Sequence, residues 1–251
     1  NNSGVKLHDF NSNVVLEEIK EGPVKIYKFI PPNSSKEKYG IYFHGGGYFA
    51  GSITSHKNLI SQISNDSNLI IYFFEYRLSP EYNFPSAHED AKLAVDFINT
   101  LHPDHQSIWI GESAGGGLAT GLVVDKEYLE KPDNLILLSP WLDLSDGFED
   151  KKFFKNSDVT IIIEGMFEVG EFYAGDYGAK NPILSPVYAD VDNFPDVLIQ
   201  VCTEELLYND AVEFVKKLED KNVNVELQTW DGLWHACLLY TSDAADDLVG
   251  V

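Results

Sequence analysis

The chain has 251 residues, 44% of them hydrophobic, which is enough for one large domain with a substantial core. Its formal net charge of −22 at pH 7 and its pI near 4.5 argue against nucleic acid and anionic membrane surfaces as partners. Two cysteines do not make a disulfide framework, and no apolar run approaches the length of a membrane-spanning helix, so we expect no membrane insertion.

Short apolar runs predict the strands of the fold. They lie at 14–19, 24–30, 40–43, 69–74, 107–110, 134–138, 197–202 and 225–230. The turn at 21–23 joins the first two strands into a hairpin. Helical patterns separate most of the later strands, and such alternation is typical of a largely parallel sheet covered by helices on both faces. The sequence therefore predicts a single α/β domain over residues 1–251.

Polar residues mark the predicted starts of three helices. Ser55 is expected to cap the first helix, Ser86-Ala87-His88-Glu89 to form a capping box for the second, and Asp210-x-x-Glu213 to cap the last. His56 and His88 lie close to the first two of these starts. We expect surface or capping roles for both histidines.

Two segments depart from the alternation of strands and helices. Residues 145–185 are charged and aromatic, contain a helical stretch near 164–173, and are interpreted as a small cap inserted over one end of the sheet. Residues 237–251 form an atypical tail without a strong amphipathic stripe. This tail resembles translated sequencing-adapter peptides, and the likeness predicts that the ending is not native.

A Gly-x-Ser-x-Gly pattern at 111–115 lies between the strand at 107–110 and a helix at 118–124. A nucleophilic serine needs a sharp turn that lifts its hydroxyl clear of the sheet, and flanking glycines let neighbouring backbone approach closely. The strand–turn–helix context makes Ser113 the candidate nucleophile.

Three further segments carry groups that can take part in catalysis, and each follows a predicted strand: His44-Gly45-Gly46-Gly47, the pair Glu204-Glu205, and His235. Ligands of such sheets bind beyond the carboxyl ends of the strands, so these segments are expected to meet Ser113 there. Together they supply an oxyanion hole, an orienting carboxylate and a general base. The order serine, acid, histidine along the chain is that of the α/β-hydrolases.

These motifs resemble those of the hormone-sensitive-lipase-like esterases, especially the small bacterial members, over about residues 14–236. The segment 44–48 resembles the HGGG motif of that family, and 111–116 resembles its GDSAGG elbow. Further similar segments are Tyr76-Arg77-Leu78-Ser79-Pro80-Glu81, Phe84-Pro85, Ser139-Pro140-Trp141-Leu142-Asp143, Leu184-Ser185-Pro186, Glu205-Leu206-Leu207 and Asp231-Gly232-x-x-His235. The resemblance implies the α/β-hydrolase fold.

The resemblance also implies a role for individual residues. The implied catalytic residues are Ser113, Glu205 and His235; the implied oxyanion-hole residues are Gly46, Gly47 and Ala114; and the implied binding residues are His44, Gly45 and Tyr48. Glu204 and Asp210 also follow the strand at 197–202. The first lies one place too early for the motif, and the second is explained as a helix cap.

The activity implied is that of a serine carboxylesterase acting on short- to medium-chain acyl esters through an acyl-enzyme, without a cofactor or a metal. Alternatives are an amidase, a lactonase or a carbohydrate deacetylase with the same triad, or a non-catalytic ligand-binding member of the fold. Ser113 and His235 are both present, which favours catalysis. We expect a cytoplasmic protein, with secretion and a homodimer left open.

Three departures from the family pattern accompany this resemblance. Glu112 occupies the elbow position where aspartate is usual, a change expected to matter little. The triad acid is glutamate rather than the commoner aspartate. The N-terminal cap ahead of the glycine run is short, so the substrate pocket is not defined by the resemblance.

Overall fold

A computed structural model describes residues 9–20, 22–145, 163–233 and 235. The strands are β1 (Val15–Ile19), β2 (Lys25–Ile30), β3 (Lys38–Phe43), β4 (Ile70–Glu75), β5 (Gln106–Glu112), β6 (Asn134–Leu138), β7 (Asp196–Cys202) and β8 (Val225–Trp230). The helices are α1 (Ile53–Ser67), α2 (Ser86–Leu101), α3 (Ala114–Val124), α4 (Ile163–Ala174) and α5 (Tyr208–Asp220). The predicted tail and residues 146–162 of the predicted cap lie outside the described residues.

All the described strands form one sheet in the order β1-β2-β4-β3-β5-β6-β7-β8. The first two strands pair antiparallel, as the predicted hairpin requires, and β2 is also antiparallel to β4. Every other pairing is parallel. The mostly parallel sheet predicted from the sequence is therefore confirmed. Because the strands from β3 onward run the same way, their carboxyl ends share one edge of the sheet.

The two faces of the sheet are covered by different helices. Alternate residues of β3 and β4 enter two separate apolar clusters, so each strand is buried on both sides. One cluster takes in α2, α3 and α5, and the other takes in Ile60 of α1. The helical stretch predicted near 164–173 is confirmed as α4. None of the described helices is long and apolar enough to cross a membrane.

The three predicted helix caps are wrong, and tertiary or local contacts explain each one. Ser52 rather than Ser55 caps α1, and the hydroxyl of Ser55 instead accepts the backbone N–H of Ser52 at 3.1 Å. Ser86 is the first residue of α2, and Glu89 contacts Arg77 at 3.0 Å instead of closing a capping box. Asp210 is a buried residue inside α5, where it accepts the backbone N–H of Asp143 at 3.2 Å.

His56 and His88 are both buried, contrary to the expectation of surface or capping roles. His88 packs edge-on against the ring of Phe84, with 4.9 Å between the ring centroids. Burial lowers the pKa of His88 from 6.5 to about 3, against a smaller opposing effect of the Ile183 backbone. The folded protein therefore holds His88 neutral across the ordinary pH range.

We expect the free energy of unfolding of His88→Gln to fall less than that of the wild-type protein when the pH is lowered. The unfolded chain takes up a proton at His88 as the pH falls through about 6.5, whereas the folded chain does so only near 3, so this histidine costs stability as the pH falls. Between pH 7 and pH 5 the loss assigned to it is about 2 kcal/mol. Urea unfolding of the wild-type protein and of His88→Gln at pH 7 and pH 5 measures this difference. An equal loss of unfolding free energy in the two proteins would contradict the assignment to His88.

Candidate active site

Ser113 occupies the turn between β5 and α3. Its backbone has φ 51° and ψ −121°, a conformation that non-glycine residues rarely adopt and that typically costs about 1–3 kcal/mol. A hydrogen bond of 3.0 Å from the Ser113 N–H to the carbonyl of Leu138 ties this turn to β6. This strained conformation changes the direction of the chain abruptly between the strand and the helix, as a nucleophile elbow requires.

The glycine two places after the serine lets α3 pack directly on β3. A Cβ atom at Gly115 would lie 2.0 Å from the carbonyl oxygen of Phe43 and 2.4 Å from that of His44. A side chain at this position would therefore push the helix away from the strand that leads into the glycine run. The sequence Ser-Ala-Gly brings the elbow and that run into contact.

The predicted acid, base and nucleophile form one chain of contacts. His235 follows β8 and places Nε2 2.9 Å from Ser113 Oγ and Nδ1 3.2 Å from Glu205 Oε2. All three side chains are buried, Glu205 completely. The backbone N–H of Cys202 donates to the other carboxylate oxygen of Glu205 at 3.3 Å. Glu204, one residue earlier, is exposed.

This geometry selects a tautomer of His235. The carboxylate of Glu205 only accepts hydrogen bonds, so Nδ1 carries the proton and Nε2 presents its lone pair to the Ser113 hydroxyl. An imidazole held in this way can accept the serine proton. The arrangement has the three parts of a serine hydrolase triad.

The predicted oxyanion loop runs from His44 to Tyr48. Burial, and then the charge of His56, lower the pKa of His44 to about 3, so its ring is neutral and Nδ1–H donates to the carbonyl of Gly45 at 2.7 Å. The N–H of Gly46 points away from that carbonyl, because the two groups of a trans peptide are antiparallel. Gly46 itself has φ 109°, and a Cβ there would lie 2.3 Å from the carbonyl oxygen of Ala50.

The three predicted oxyanion donors differ in exposure. Gly46 is exposed, Gly47 is half-buried, and Ala114 is a fully buried residue that begins α3, so its N–H has no partner within the helix. Among the described residues, none of these three N–H groups donates to a protein acceptor. They lie on the two chain segments that meet at Gly115.

Helix α4 covers the far side of the oxyanion loop. Tyr48 is fully buried and stacks on Tyr173 of α4, with 4.0 Å between ring centroids and 6° between the ring planes. Val169 lies 3.9 Å from the position that a Cβ of Gly47 would occupy. The structure thus places Tyr48, predicted as a binding residue, between the glycine run and α4.

Sequence reasoning missed a buried polar group behind the site. Glu112 lies 3.2 Å from Nε2 of His56 and accepts a hydrogen bond of 2.9 Å from Tyr42 Oη. A signal for it was present, because Glu112 is adjacent to the nucleophile and His56 has the helical spacing of Leu59 and Ile60.

Comparisons with known proteins agree with this architecture. A family model described as the α/β-hydrolase fold matches residues 40–239. An esterase from Acinetobacter venetianus is 28% identical over 212 residues, 82% of this chain and 69% of its own length. An ethyl acetate hydrolase from Pseudomonas putida is 27% identical over 230 residues, 85% of this chain and 70% of its own length.

A solved structure is similar as well. The crystal structure of a hormone-sensitive lipase from a metagenome library is 31% identical, with a TM-score of 0.90 over 96% of this chain and 82% of that one. The likeness extends over nearly all of the chain. The chain belongs to the α/β-hydrolase fold family and, within it, to the hormone-sensitive-lipase-like bacterial esterases.

Proposed function

We propose that this carboxylic ester hydrolase cleaves short- to medium-chain acyl esters through an acyl-enzyme on Ser113. The observation that carries the proposal is the continuous contact from Glu205 through His235 to Ser113 Oγ. A non-catalytic member of the fold has no need of a buried carboxylate that fixes the tautomer of a histidine beside a strained serine.

The reaction has two halves. Ser113 Oγ attacks the ester carbonyl carbon while His235 Nε2 takes the hydroxyl proton; the tetrahedral intermediate then expels the alcohol, which receives that proton from His235. Water next attacks the acyl-enzyme with His235 as base, and collapse releases the carboxylic acid and restores Ser113. Glu205 stabilises the imidazolium in both halves and keeps its own charge.

The negative charge on the carbonyl oxygen needs hydrogen-bond donors. The N–H groups of Gly46, Gly47 and Ala114 are the donors in this proposal, because none of them donates to an acceptor within the described part of the chain and they lie on segments in mutual contact. One donor of this kind is typically worth about 3–4 kcal/mol in the transition state. The Nδ1–H bond of His44 to Gly45 fixes the peptide that carries the first of them.

The packing of α4 over the glycine run supports a preference for short acyl groups. Val169 and the stacked pair Tyr48–Tyr173 bring α4 against the loop beside Gly47. The Pseudomonas relative is named for a two-carbon acyl ester, ethyl acetate. Long-chain lipids would need a broad apolar entrance instead.

We therefore expect p-nitrophenyl acetate, butyrate and hexanoate to be hydrolysed with higher kcat/KM than the palmitate, by about tenfold or more for the best of them. Initial rates with all esters kept in solution measure this. The matched p-nitrophenyl butyramide separates an esterase from an amidase. A higher kcat/KM on palmitate would contradict the chain-length proposal, and absence of hydrolysis of every ester would contradict the proposed activity.

The composition of the chain and the edges of its sheet also bear on partners, location and assembly. The net charge of −22 supports a protein that has no nucleic-acid partner. The low cysteine content supports a cytoplasmic location. The described sheet ends in β1 and β8, and such edges can pair with a second copy, which supports a homodimer that sedimentation velocity would detect.

A further inference from the structure

We infer that Glu112 and His56 form a buried positioning pair, which fixes the oxyanion loop against the nucleophile elbow. The pair touches no substrate atom. The inference rests on the proposed function, since it assigns these residues to the same transition state.

The pair joins three elements that otherwise approach the site separately. Glu112 is the last residue of β5 and directly precedes Ser113, while His56 belongs to α1 and Tyr42 to β3. The side chains of Glu112 and His56 are 5% and 4% exposed, so the contact of 3.2 Å between them is shielded from water. Tyr42 Oη donates to the same carboxylate oxygen at 2.9 Å.

The second oxygen of Glu112 lies against the oxyanion loop. A Cβ atom at Gly45 would be 2.8 Å from Glu112 Oε1 and 3.1 Å from Ser113 Cβ. Gly45 is therefore held between the carboxylate and the nucleophile. Any shift of the carboxylate moves the peptide that leads into Gly46, the first donor of the proposed oxyanion hole.

Both ring nitrogens of His56 have polar neighbours. Nε2 faces the Glu112 carboxylate, and Nδ1 lies 3.2 Å from the carbonyl oxygen of Ser52 and 2.9 Å from Ser55 Oγ. The Ser55 hydroxyl donates its own proton to that carbonyl. His56 is therefore held at both nitrogens, by Glu112 on one side and by the first turn of α1 on the other.

Glu112 is ionised in this pair. Burial would raise the pKa of Glu112, but contact with His56 and the Tyr42 hydrogen bond hold it below its usual value, so the group is a carboxylate. The ionised form lets Glu112 accept from Tyr42 while it faces His56, and these two contacts hold the carboxylate in place beside Gly45.

The test is Glu112→Gln, which keeps the shape and removes the charge. We expect kcat for p-nitrophenyl butyrate to fall about 10- to 100-fold, because an amide holds His56 and Tyr42 less firmly than a carboxylate and lets the loop carrying the donors shift, while KM changes less than about threefold. The inhibition constant of an alkyl trifluoromethyl ketone, which forms a tetrahedral adduct with the serine, should rise in the same proportion as kcat falls.

Asp125→Asn is the matched control. Asp125 is a buried carboxylate paired with Lys92 at the opposite end of α3, so its loss lowers the midpoint of thermal unfolding without reaching the oxyanion loop. Glu112→Gln with kcat and ketone affinity as in this control would overturn the inference. If Glu112→Gln does not fold, His56→Gln, which keeps a hydrogen-bond donor but loses the ring that contacts Ser52 and Ser55, is measured in the same way and decides it.

Measurements on the wild-type protein distinguish a failure of the proposed function from a failure of the positioning role alone. If wild-type protein neither hydrolyses the ester nor binds the ketone, the proposed function fails. If it does both and neither Glu112→Gln nor His56→Gln alters them, only the positioning role fails.

Discussion

Ser113→Ala is expected to lower kcat for p-nitrophenyl butyrate at least about 10⁴-fold, the scale on which loss of a triad nucleophile acts. The substitution removes one oxygen atom and leaves the backbone of the elbow, with its hydrogen bond to Leu138, in place. Alanine and serine carry similar strain at a φ of 51°, so the fold should be retained. Circular dichroism and thermal unfolding check the fold beside the rate.

The chain offers a matched control in Ser139. This serine also follows a parallel strand, is 8% exposed like Ser113, and has a positive φ of 47°. We expect Ser139→Ala to keep kcat within a few-fold and to keep reaction with a fluorophosphonate, which forms a covalent bond with activated serines. Wild-type labelling should map to Ser113 by mass spectrometry. Unchanged hydrolysis in a folded Ser113→Ala protein would refute the esterase mechanism.

The second large effect is expected at the acid of the triad. Glu205→Gln should lower kcat about 10²- to 10⁴-fold, because the carboxylate now receives hydrogen bonds from both the Cys202 N–H and His235 Nδ1. A glutamine has one acceptor oxygen for these two donors. When that oxygen serves Cys202, the amide N–H faces His235 and turns the imidazole into the tautomer that cannot take the serine proton.

Glu204→Gln is the control for Glu205→Gln, since it makes the same chemical change one residue earlier at an exposed position. Its kcat should change only a few-fold. Steady-state kinetics of both variants, with their midpoints of thermal unfolding, complete the measurement. A larger loss of kcat in Glu204→Gln than in Glu205→Gln would show that the acid is misassigned by one residue.

The strands and the site motifs could be predicted because each depends on a short stretch of chain. Apolar runs such as 69–74 need no partner to be identified as buried strands, and Ser113 lies between a strand and a helix in the printed sequence. The elbow, the glycine run and His235 also fall at strand ends. Their convergence follows from parallel topology alone.

The helix caps and the buried histidines could not be predicted in the same way, because distant partners decide them. Glu89 contacts Arg77 instead of its own helix end, and Asp210 serves the backbone of Asp143, 67 residues away. His56 has the apolar spacing of its helix, but its partner Glu112 lies on another element. A capping motif predicts what a side chain can do locally, and tertiary contacts determine which use it has.

The sequence separation of the triad residues also determines when ester hydrolysis returns during folding. Ser113 and His235 are 122 positions apart in the chain, and Glu205 and His235 are 30 apart. Their meeting depends on the stacking of β6, β7 and β8 onto β5, which closes long loops and is intrinsically slow. Regained ester hydrolysis during refolding therefore reports the completion of this half of the sheet, whereas helix content can return before it.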